Sequence, residues 1–477
     1  MLDLQTQRKT KIVLSDYDYR RDLENRLLMS RFSHLDVVVL EELLFSPVHF
    51  AISKMARSLE LEESALAEIL VNLSKTGLLS IDGDQVEVDK DIRKYFETQM
   101  QKFEDDFKPG VEYLLSLLRK VPIHVLPTWY SVPRTSNNIF ESIIERYLST
   151  PHAYYRYLQD FYAHHTHLTP LVKELFSSPK LKLSGREIID RYHMDREQFE
   201  ETMLLLEFSF IACLRYEKID NQWKEIVTPF DEWYEYLTFL RATQPFPILE
   251  EEEIVPFRAH DFSFVHDMTH VLKLAKLKPI SLKEQDTLYL PSSKATSVAI
   301  AKQLELNLDQ AADQRYFSRL ILKLRLLKLG DLCDGEFSAT PHAQAWLAME
   351  DAEKAIFLYR HSLNRLISEE LPEPALIDKS VREAEKSIQR VLNAGWVKLE
   401  EVVKGALVSF NDEPAITLKK QGRQWKYARP DYTESQLCLI RAVIHDWLFE
   451  TGIVSIGKWN GERCFKITAF GHSVFGH

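Results

Sequence analysis

Residues 313–347, DQRYFSRLILKLRLLKLGDLCDGEFSATPHAQAWL, decide the fold that we predict for this chain. Leu320, Leu324 and Leu327 recur at the spacing that places side chains on one face of a helix, so we expect this face to pack on a core. Basic residues follow the other face at a similar spacing. These residues are Arg315, Arg319, Lys323, Arg325 and Lys328. The pattern predicts an amphipathic helix whose basic face is turned toward solvent.

The residues after this helix predict a small β-hairpin. Gly330 follows the last leucines, where glycine allows the left-handed backbone that ends many helices. Asp334-Gly335 is a strong turn signal between two short segments, and Asp82-Gly83 and Asn460-Gly461 give the same signal elsewhere. A further helix is expected to begin near Pro341. A helix followed by a hairpin is the second half of a winged helix, in which the third helix is the DNA reader.

The composition is that of an ordinary globular protein. The chain has 477 residues, which predicts roughly three domains of about 150 residues each. Hydrophobic residues make up 45% and charged residues 27% of the sequence, and the 14 glycines are few, as expected where helix dominates. The net charge of −11 argues against a protein that coats nucleic acid. A local basic patch is still compatible with it, because binding follows the local field.

The cysteines, the N-terminal segment and the apolar windows of the sequence indicate the cellular compartment to expect. The four cysteines lie far apart without a C-x-x-C pair, so we expect no disulfide framework, no zinc site and a cytoplasmic protein, with association with the nucleoid as an option. The N-terminal segment MLDLQTQRKTKIVLSDYDY has no long apolar core, which predicts no signal peptide. No window holds ~18 uncharged apolar residues, which predicts no contact with a membrane interior.

Similar patterns of three helices and a hairpin recur along the sequence. We therefore predict a mainly α protein with small β-hairpin wings (α+β), built as a tandem array of about four winged helix-turn-helix modules with helical connectors. The predicted parts are a solvated N-terminal arm (1–30), module 1 (31–100), a helical connector (101–165), module 2 (166–242), a linker rich in proline and glutamate (243–257), module 3 (258–362) and module 4 (363–477).

Modules 1 and 2 carry acidic residues where a DNA-reading helix would meet phosphate. On the predicted third helices these residues are Glu62, Glu63 and Glu68 in module 1, and Glu197, Glu200 and Glu201 in module 2. Carboxylates repel phosphates at short range. We therefore expect these two modules to contact a protein partner or to serve as scaffold.

Module 4 contains a basic insertion, LKKQGRQWKYAR (418–429), in which cations alternate with aromatic rings. Cations neutralise phosphates and flat rings stack on bases, so we predict that the insertion assists nucleic-acid binding. The alternative is a lysine-rich surface loop whose rings pack into the protein. The residues assigned to binding are Lys419, Lys420, Arg423, Trp425 and Lys426.

The linker between modules 2 and 3 contains QPFPILEEEEIVPF (244–257). Its three prolines and its run of glutamates at 250–253 predict a solvated loop. The alternative is that the acidic run shields a basic patch of the same chain.

A further set of residues indicates kinship. The set comprises Leu324, Leu327, Gly330, Leu332, Thr340, Ala345, Trp346 and Leu347, followed by Ala394-Gly395-Trp396 and Thr468-Ala469-Phe470-Gly471. With these residues, about 258–477 resembles bacterial helicase-associated winged-helix proteins related to the N-terminal region of XPB-type DNA helicases. The resemblance implies a DNA-associated module without catalytic activity. Such modules often accompany a helicase motor, and this sequence contains none.

No catalytic or metal site is predicted. Residues 452–459 nearly match a phosphate-binding loop, but Trp459 replaces the Ser or Thr that binds magnesium. His266 and His270 have the spacing of zinc ligands, but Asp267 stands where zinc proteases have a glutamate, and no third ligand is evident. We therefore predict a protein that is not an enzyme and needs no cofactor.

Two functional hypotheses follow. The first is a non-catalytic transcription- or repair-associated protein that contacts double-stranded DNA, mainly at its phosphates, through the basic helix and the insertion. The alternative is a protein-interaction scaffold of a chromosome-organising or transcription complex, without direct DNA contact. The first hypothesis requires the basic face of the helix in 313–347 to be exposed.

Overall fold

The computed structural model describes residues 11–136, 138–220, 222–361, 366–371, 378–422 and 424–476. Helix covers about 53% of the chain, and the strands form small antiparallel sheets, so the predicted class of mainly α structure with small β elements is confirmed. The chain divides into two compact units. Unit 1 comprises Met1–Thr238 and Ile416–Ala428, and unit 2 comprises Phe239–Ala415 and Arg429–His477.

The α-helices are named in chain order. The first are α1 (Tyr19–Met29), α2 (His34–Phe45), α3 (Ile52–Ser58), α4 (Glu63–Ser74), α5 (Lys90–Met100), α6 (Val111–Leu118), α7 (Leu126–Trp129), α8 (Ile139–Tyr147), α9 (Pro151–His164), α10 (Thr169–Ser177), α11 (Gly185–Tyr192), α12 (Arg196–Phe208) and α13 (Asp231–Ala242). The next are α14 (Ser263–Leu277), α15 (Lys294–Leu304), α16 (Ala311–Leu326), α17 (Ala343–Leu347), α18 (Asp351–Arg360), α19 (Asp378–Glu385), α20 (Leu399–Lys404), α21 (Glu434–Ala442), α22 (Leu448–Glu450) and α23 (Ala469–Phe475). A π-helical turn, Val443–Trp447, joins α21 to α22 without a break.

The strands are short. They are β1 (His49–Ala51), β2 (Leu79–Asp82), β3 (Gln85–Val88), β4 (Leu183–Ser184), β5 (Ala212–Ile219), β6 (Gln222–Pro229), β7 (Val255–Pro256), β8 (Ile280–Gln285), β9 (Leu288–Pro291), β10 (Gly330–Cys333), β11 (Glu336–Ala339), β12 (Val397–Lys398), β13 (Thr417–Gln421), β14 (Gln424–Ala428), β15 (Val454–Trp459) and β16 (Glu462–Ile467).

Modules 1 and 2 share the order helix, strand, helix, third helix, hairpin, and modules 3 and 4 contain the same elements with the additional strand β9 and the inserted hairpin β13–β14, respectively. The third helices are α4 in module 1, α12 in module 2, α16 in module 3 and the continuous α21–α22 in module 4. In each module the first strand pairs antiparallel with the last strand of the hairpin. These pairs are β1–β3, β4–β6, β8–β11 and β12–β16. The recurrence places each third helix immediately before the hairpin of its own sheet.

Each third helix is followed by a residue with left-handed backbone. These residues are Gly77 (φ 76°), Phe210 (φ 58°), Lys328 (φ 56°) and Gly452 (φ 73°). In module 3 the prediction for Gly330 is therefore wrong, because Lys328 takes the left-handed conformation and Gly330 opens β10. Glycine is required at 330 for a different reason: a Cβ there would lie 2.2 Å from Cζ of Phe337.

Two connecting segments are more ordered than predicted. Within the expected solvated arm, α1 packs on α12 and buries Arg26, whereas residues 1–10 lie outside the described part of the chain. Within the expected solvated linker, Pro245, Ile248 and Ile254 are buried, and β7 pairs with β15 at the edge of the module 4 sheet. Proline and charge runs predicted loops here, but neither pattern reveals that a segment has a surface to pack against.

Candidate nucleic-acid interface

Helix α16, the predicted DNA-contacting helix, lies in the core of unit 2. Every residue from 316 to 324 is buried. Leu320, Leu324 and Leu327 are buried as predicted. The expected basic face is not exposed, however: Arg319 retains 8% and Lys323 only 1% of its accessible surface. A helix that is covered all round is a central helix and has no free face for a groove of DNA.

The two buried cations of α16 are neutralised by carboxylates of the third helix of module 4. Arg319 Nη1 lies 3.1 Å from Asp446 Oδ1, and Arg319 Nε lies 3.1 Å from Glu450 Oε1. Lys323 Nζ lies 3.2 Å from Glu450 Oε2 and 4.8 Å from the ring centroid of Trp447. Both the cations and the carboxylates are spaced four residues apart, which aligns them on facing helical surfaces. We call these four ionisable residues the unit 2 charge cluster.

The pKa values in this cluster reflect burial and pairing. Burial alone would raise the pKa of Asp446, but Arg319 and His445 outweigh it and hold that pKa well below its usual value. Burial raises the pKa of Glu450 in spite of Lys323 and Arg319, and burial lowers the pKa of Lys323 in spite of Glu450. The Lys323–Glu450 pair is therefore held at a cost in desolvation.

The other predicted contacts of α16 differ from one another. Arg315 is half-buried and its Nε donates to Glu369 Oε1 at 2.5 Å. Arg325 donates to the hydroxyl of Tyr289 and lies 5.1 Å from the centroid of that ring. Lys328 is exposed and, within the described residues, has no ion pair. Lys328 is therefore the only exposed residue of the predicted basic face that has no carboxylate partner within the described residues.

The basic insertion of module 4 is a hairpin, β13–β14, that belongs to unit 1. Lys420 Nζ and Trp425 Nε1 lie 2.6 Å and 3.1 Å from Glu112 Oε1. The pKa of Glu112 is lowered, chiefly by the hydrogen bond from Lys420. Lys426 Nζ lies 3.3 Å from Glu235 Oε1. Two of the cations that were predicted to meet phosphate, Lys420 and Lys426, thus meet carboxylates of the same unit.

The aromatic side chains of the hairpin pack inward. The Tyr427 hydroxyl donates to the Leu148 carbonyl at 3.0 Å, and Trp425 and Tyr427 pack against the hydrophobic core of unit 1. Lys419 is exposed, and Arg423 lies outside the described residues. The alternative interpretation, a surface segment with its rings packed into the protein, therefore describes the geometry at Trp425 and Tyr427 better than a base-stacking platform does.

Unit 1 contains a second buried charge cluster, which the sequence analysis missed. Glu207, at the end of α12, accepts Lys102 Nζ at 2.8 Å, Arg26 Nη1 at 3.2 Å and the Leu214 N–H at 3.3 Å. Burial alone would raise the pKa of Glu207, but Arg26 and Lys102 lower it to about 2. We call Arg26, Lys102 and Glu207, with the adjacent Asp22, the unit 1 charge cluster. A carboxylate within the apolar run 203–208 was the available signal.

The acidic faces of modules 1 and 2 are partly as predicted. Glu62, Glu63 and Glu68 are exposed in module 1, and so are Glu197 and Glu201 in module 2. Glu200 is the exception, because it is buried and paired with Arg196. Among the third helices, α4 keeps an open face that includes Val71 at 52% exposure, whereas residues 203–210 of module 2 are buried apart from the partly covered Leu205.

The structure also describes the residues of the motif that resembles a phosphate-binding loop and of the histidine pair. Residues 454–459 of the loop-like motif form strand β15, paired with β16, so they do not wrap a phosphate. His266 Nε2 lies 2.5 Å from Asp351 Oδ2. Within the described residues there is no group of three His, Cys, Asp or Glu side chains arranged to hold a metal ion. No helix in that part of the chain combines the length and the apolar character needed to cross a bilayer.

Comparison of the chain with protein-family models, with curated proteins and with solved structures finds no match. The resemblance to helicase-associated proteins therefore stays a prediction, and function has to be argued from the geometry of the chain itself.

Proposed function

We propose that this chain is a non-catalytic scaffold of four winged-helix modules that works through protein contacts. The observation that carries the proposal is the unit 2 charge cluster. In a winged helix the third helix is the surface that reads DNA. Here the third helices of modules 3 and 4 are held together by ion pairs from Arg319 and Lys323 to Asp446 and Glu450. The basic face of α16 is therefore occupied by another helix of the same unit and is closed to duplex DNA.

Phosphate binding through the same residues would require unit 2 to open. Contacts to duplex DNA depend on cations that can displace the counterions of the phosphates. Exposing Arg319 and Lys323 would separate them from Asp446 and Glu450 and would also open the hydrophobic core around α16 to water, which is unfavourable. The recurrence of helix, strand, helix, helix and hairpin supports the winged-helix assignment of the four modules, because it is the order of elements in that fold.

Module 1 is the module whose third helix is available to a partner. The open face of α4 combines Val71, which is 52% exposed, with Glu68, which is exposed and has no ion pair within the described residues. Carboxylates there repel phosphate, whereas an exposed apolar side chain with an acidic neighbour suits a protein surface. We therefore assign the first external contact of the scaffold to this face, in a cytoplasmic setting.

Duplex DNA binding is the second candidate, supported by a different group of cations. Exposed lysines without an ion pair in the described residues lie at the end of α14 and after α16. They are Lys273, Lys276, Lys278 and Lys328. These lysines would contact phosphates, so the affinity for duplex DNA would depend steeply on salt concentration.

The two candidates are separated by one pair of measurements on the full chain. A photo-cross-linking residue at Asn72, on the open face of α4, is expected to capture a defined protein partner in cells that express the chain, and Val71→Glu is expected to abolish the capture. A cross-linker at the exposed Glu97 of α5 is the matched control. Fluorescence anisotropy with a labelled duplex at low ionic strength is expected to show no saturable binding.

The scaffold proposal fails if Asn72 captures nothing beyond the Glu97 control while the duplex binds with a steep salt dependence. In that case, loss of duplex binding on Lys276→Gln/Lys278→Gln would assign the interaction to the second candidate.

A further inference from the structure

The segment that was predicted as a linker presents an unusual outer surface. Phe246, Leu249 and Val255 are 78%, 81% and 69% exposed. The four glutamates at 250–253 lie between them, all exposed and without an ion pair in the described residues. We call Phe246, Leu249, Val255 and these glutamates the acidic segment.

The acidic segment is held firmly by the rest of unit 2. The Ile248 N–H donates to the Trp396 carbonyl at 2.8 Å, and the Phe246 N–H donates to Glu401 Oε2 at 3.0 Å. Farther along, Val255 and Pro256 form β7, which pairs with β15. Because both ends are fixed, the exposed leucine and glutamates are presented with little conformational freedom left to lose on binding.

A complementary surface lies elsewhere on unit 2, at the end of α14. Lys273, Lys276 and Lys278 are exposed and have no ion pair within the described residues. Leu277 lies among them at 86% exposure. Residues 273, 276 and 277 share one face at the end of the helix because their spacing is three and four. We call these four residues the basic patch.

We propose that the acidic segment of one copy of this chain binds the basic patch of a second copy. Each surface combines an exposed leucine with charges of a single sign, and the signs are opposite. Net charge of −11 makes two copies repel each other at long range, so association requires surfaces that are locally complementary. Glutamates on the acidic segment also disfavour nucleic acid and anionic lipid as its ligand.

The type of contact determines how successive copies of the chain assemble. Two different surfaces meet, so the interface is heterologous, and each pair of copies still presents one free acidic segment and one free basic patch. Successive copies therefore add head to tail, and the mean mass rises with protein concentration. This inference does not depend on what module 1 binds, since it concerns surfaces of unit 2 alone.

The test measures the mass of the full chain by light scattering and sedimentation velocity over a range of concentrations at low salt. The parent is expected to associate, and added salt is expected to reverse the association because exposed charges are screened. Glu250→Gln/Glu252→Gln and Lys276→Gln/Lys278→Gln are each expected to weaken association about tenfold. Glu197→Gln/Glu201→Gln, which removes two exposed charges of module 2, is the matched control and is expected to associate like the parent.

A mixing experiment makes the assignment specific. Each variant retains one intact surface, so an equal mixture of the two is expected to form pairs of one copy each and to stop there. Circular dichroism checks that both variants are folded. The proposal is overturned if the parent stays monomeric at every concentration at low salt, or if either variant associates as strongly as the control. It is also overturned if the lysine variant loses affinity for a duplex DNA probe while its mass distribution matches that of the parent.

Discussion

The two buried charge clusters differ in how their central glutamates are held. Glu207 in unit 1 accepts two cations and the backbone N–H of Leu214, and its pKa is lowered to about 2. Glu450 in unit 2 is also fully buried beside two cations, at 3.1 Å and 3.2 Å, yet its pKa is raised by burial. In unit 1 the attraction of Arg26 and Lys102 for Glu207 outweighs its burial, whereas in unit 2 the like charge of Asp446 adds to the burial of Glu450.

The comparison also separates two roles for buried charge. Unit 1 stabilises the ionised form of Glu207, which makes its cluster a source of stability at neutral pH. Unit 2 holds its pair against a larger desolvation cost, which is unfavourable for stability but fixes how two third helices align. Buried ion pairs that specify an arrangement rather than stabilise it are known in other proteins. The following variants test this distinction, and hydrogen exchange resolved by mass spectrometry reports on each unit separately.

The largest effect is expected for Glu207→Gln. The substitution leaves Arg26 and Lys102 buried without their shared carboxylate, and removal of one partner from a buried ion pair destabilises by about 3–5 kcal/mol. Hydrogen exchange should show loss of protection in α1 and α12. Glu201→Gln, an exposed carboxylate in the same helix, is the control and should leave protection unchanged. An unchanged exchange pattern in Glu207→Gln would contradict the role assigned to this cluster.

A smaller effect is expected for Glu450→Gln, of about 1–3 kcal/mol, because burial already disfavours the ionised form of Glu450. The double variant Lys323→Met/Glu450→Gln should be less destabilised than the sum of its single variants, since neither charge is then left unpaired. Denaturant unfolding of all four proteins gives the coupling energy. Additive effects would show that Lys323 and Glu450 do not act as a pair.

Glu207 and Glu450 should contribute pH dependences of opposite sign to the stability of their units. The pKa of Glu207 is lowered from 4.5 to about 2, so its stabilisation is complete above pH 4.5 and is lost as the pH falls toward 2. The pKa of Glu450 is raised above 4.5, so the contribution of Glu450 to the stability of unit 2 falls as the pH rises from 4.5 through that higher value. Glu207→Gln and Glu450→Gln should each remove the corresponding slope from the exchange of their own unit.

The smallest effect is expected for Arg315→Gln, at most about 0.5 kcal/mol, because an ion pair that retains contact with solvent contributes little. Arg315 and Arg319 are one helical turn apart, and only Arg319 is buried. Arg319→Gln should therefore destabilise unit 2 by several times more than Arg315→Gln, measured by the same denaturant unfolding. Equal effects would mean that α16 is less enclosed than its contacts indicate.

The local elements were predictable because their causes are local. The leucines of α16 are buried as their spacing predicts, and the turns at Asp334-Gly335 and Asn460-Gly461 join β10 to β11 and β15 to β16. Position 330 shows where a local sequence pattern is no longer sufficient to predict the structure. A glycine after a helix suggests a left-handed cap, whereas the close approach of Phe337 requires knowledge of the strand opposite.

The candidate interface was not predictable in the same way. A helical pattern with leucines on one side and cations on the other is typical of a surface helix, and it predicted solvent for Arg319 and Lys323. Asp446 and Glu450, which flank the apolar residues Trp447, Leu448 and Phe449, were the available signal that the cations have buried partners. The hairpin at 417–428 gave no such signal, because alternating lysines and aromatic rings suit a nucleic-acid surface and a packed hairpin equally.

By itself the sequence determined where helices and turns form and which apolar faces are buried, because periodicity and turn chemistry act over a few residues. Only the tertiary structure decided which charges are exposed. Whether an arginine is buried depends on a carboxylate that is distant in the chain, as Asp446 is from Arg319, and burial is tolerated only where such a partner is supplied. The same dependence separates a basic helix that binds another helix from one that binds DNA.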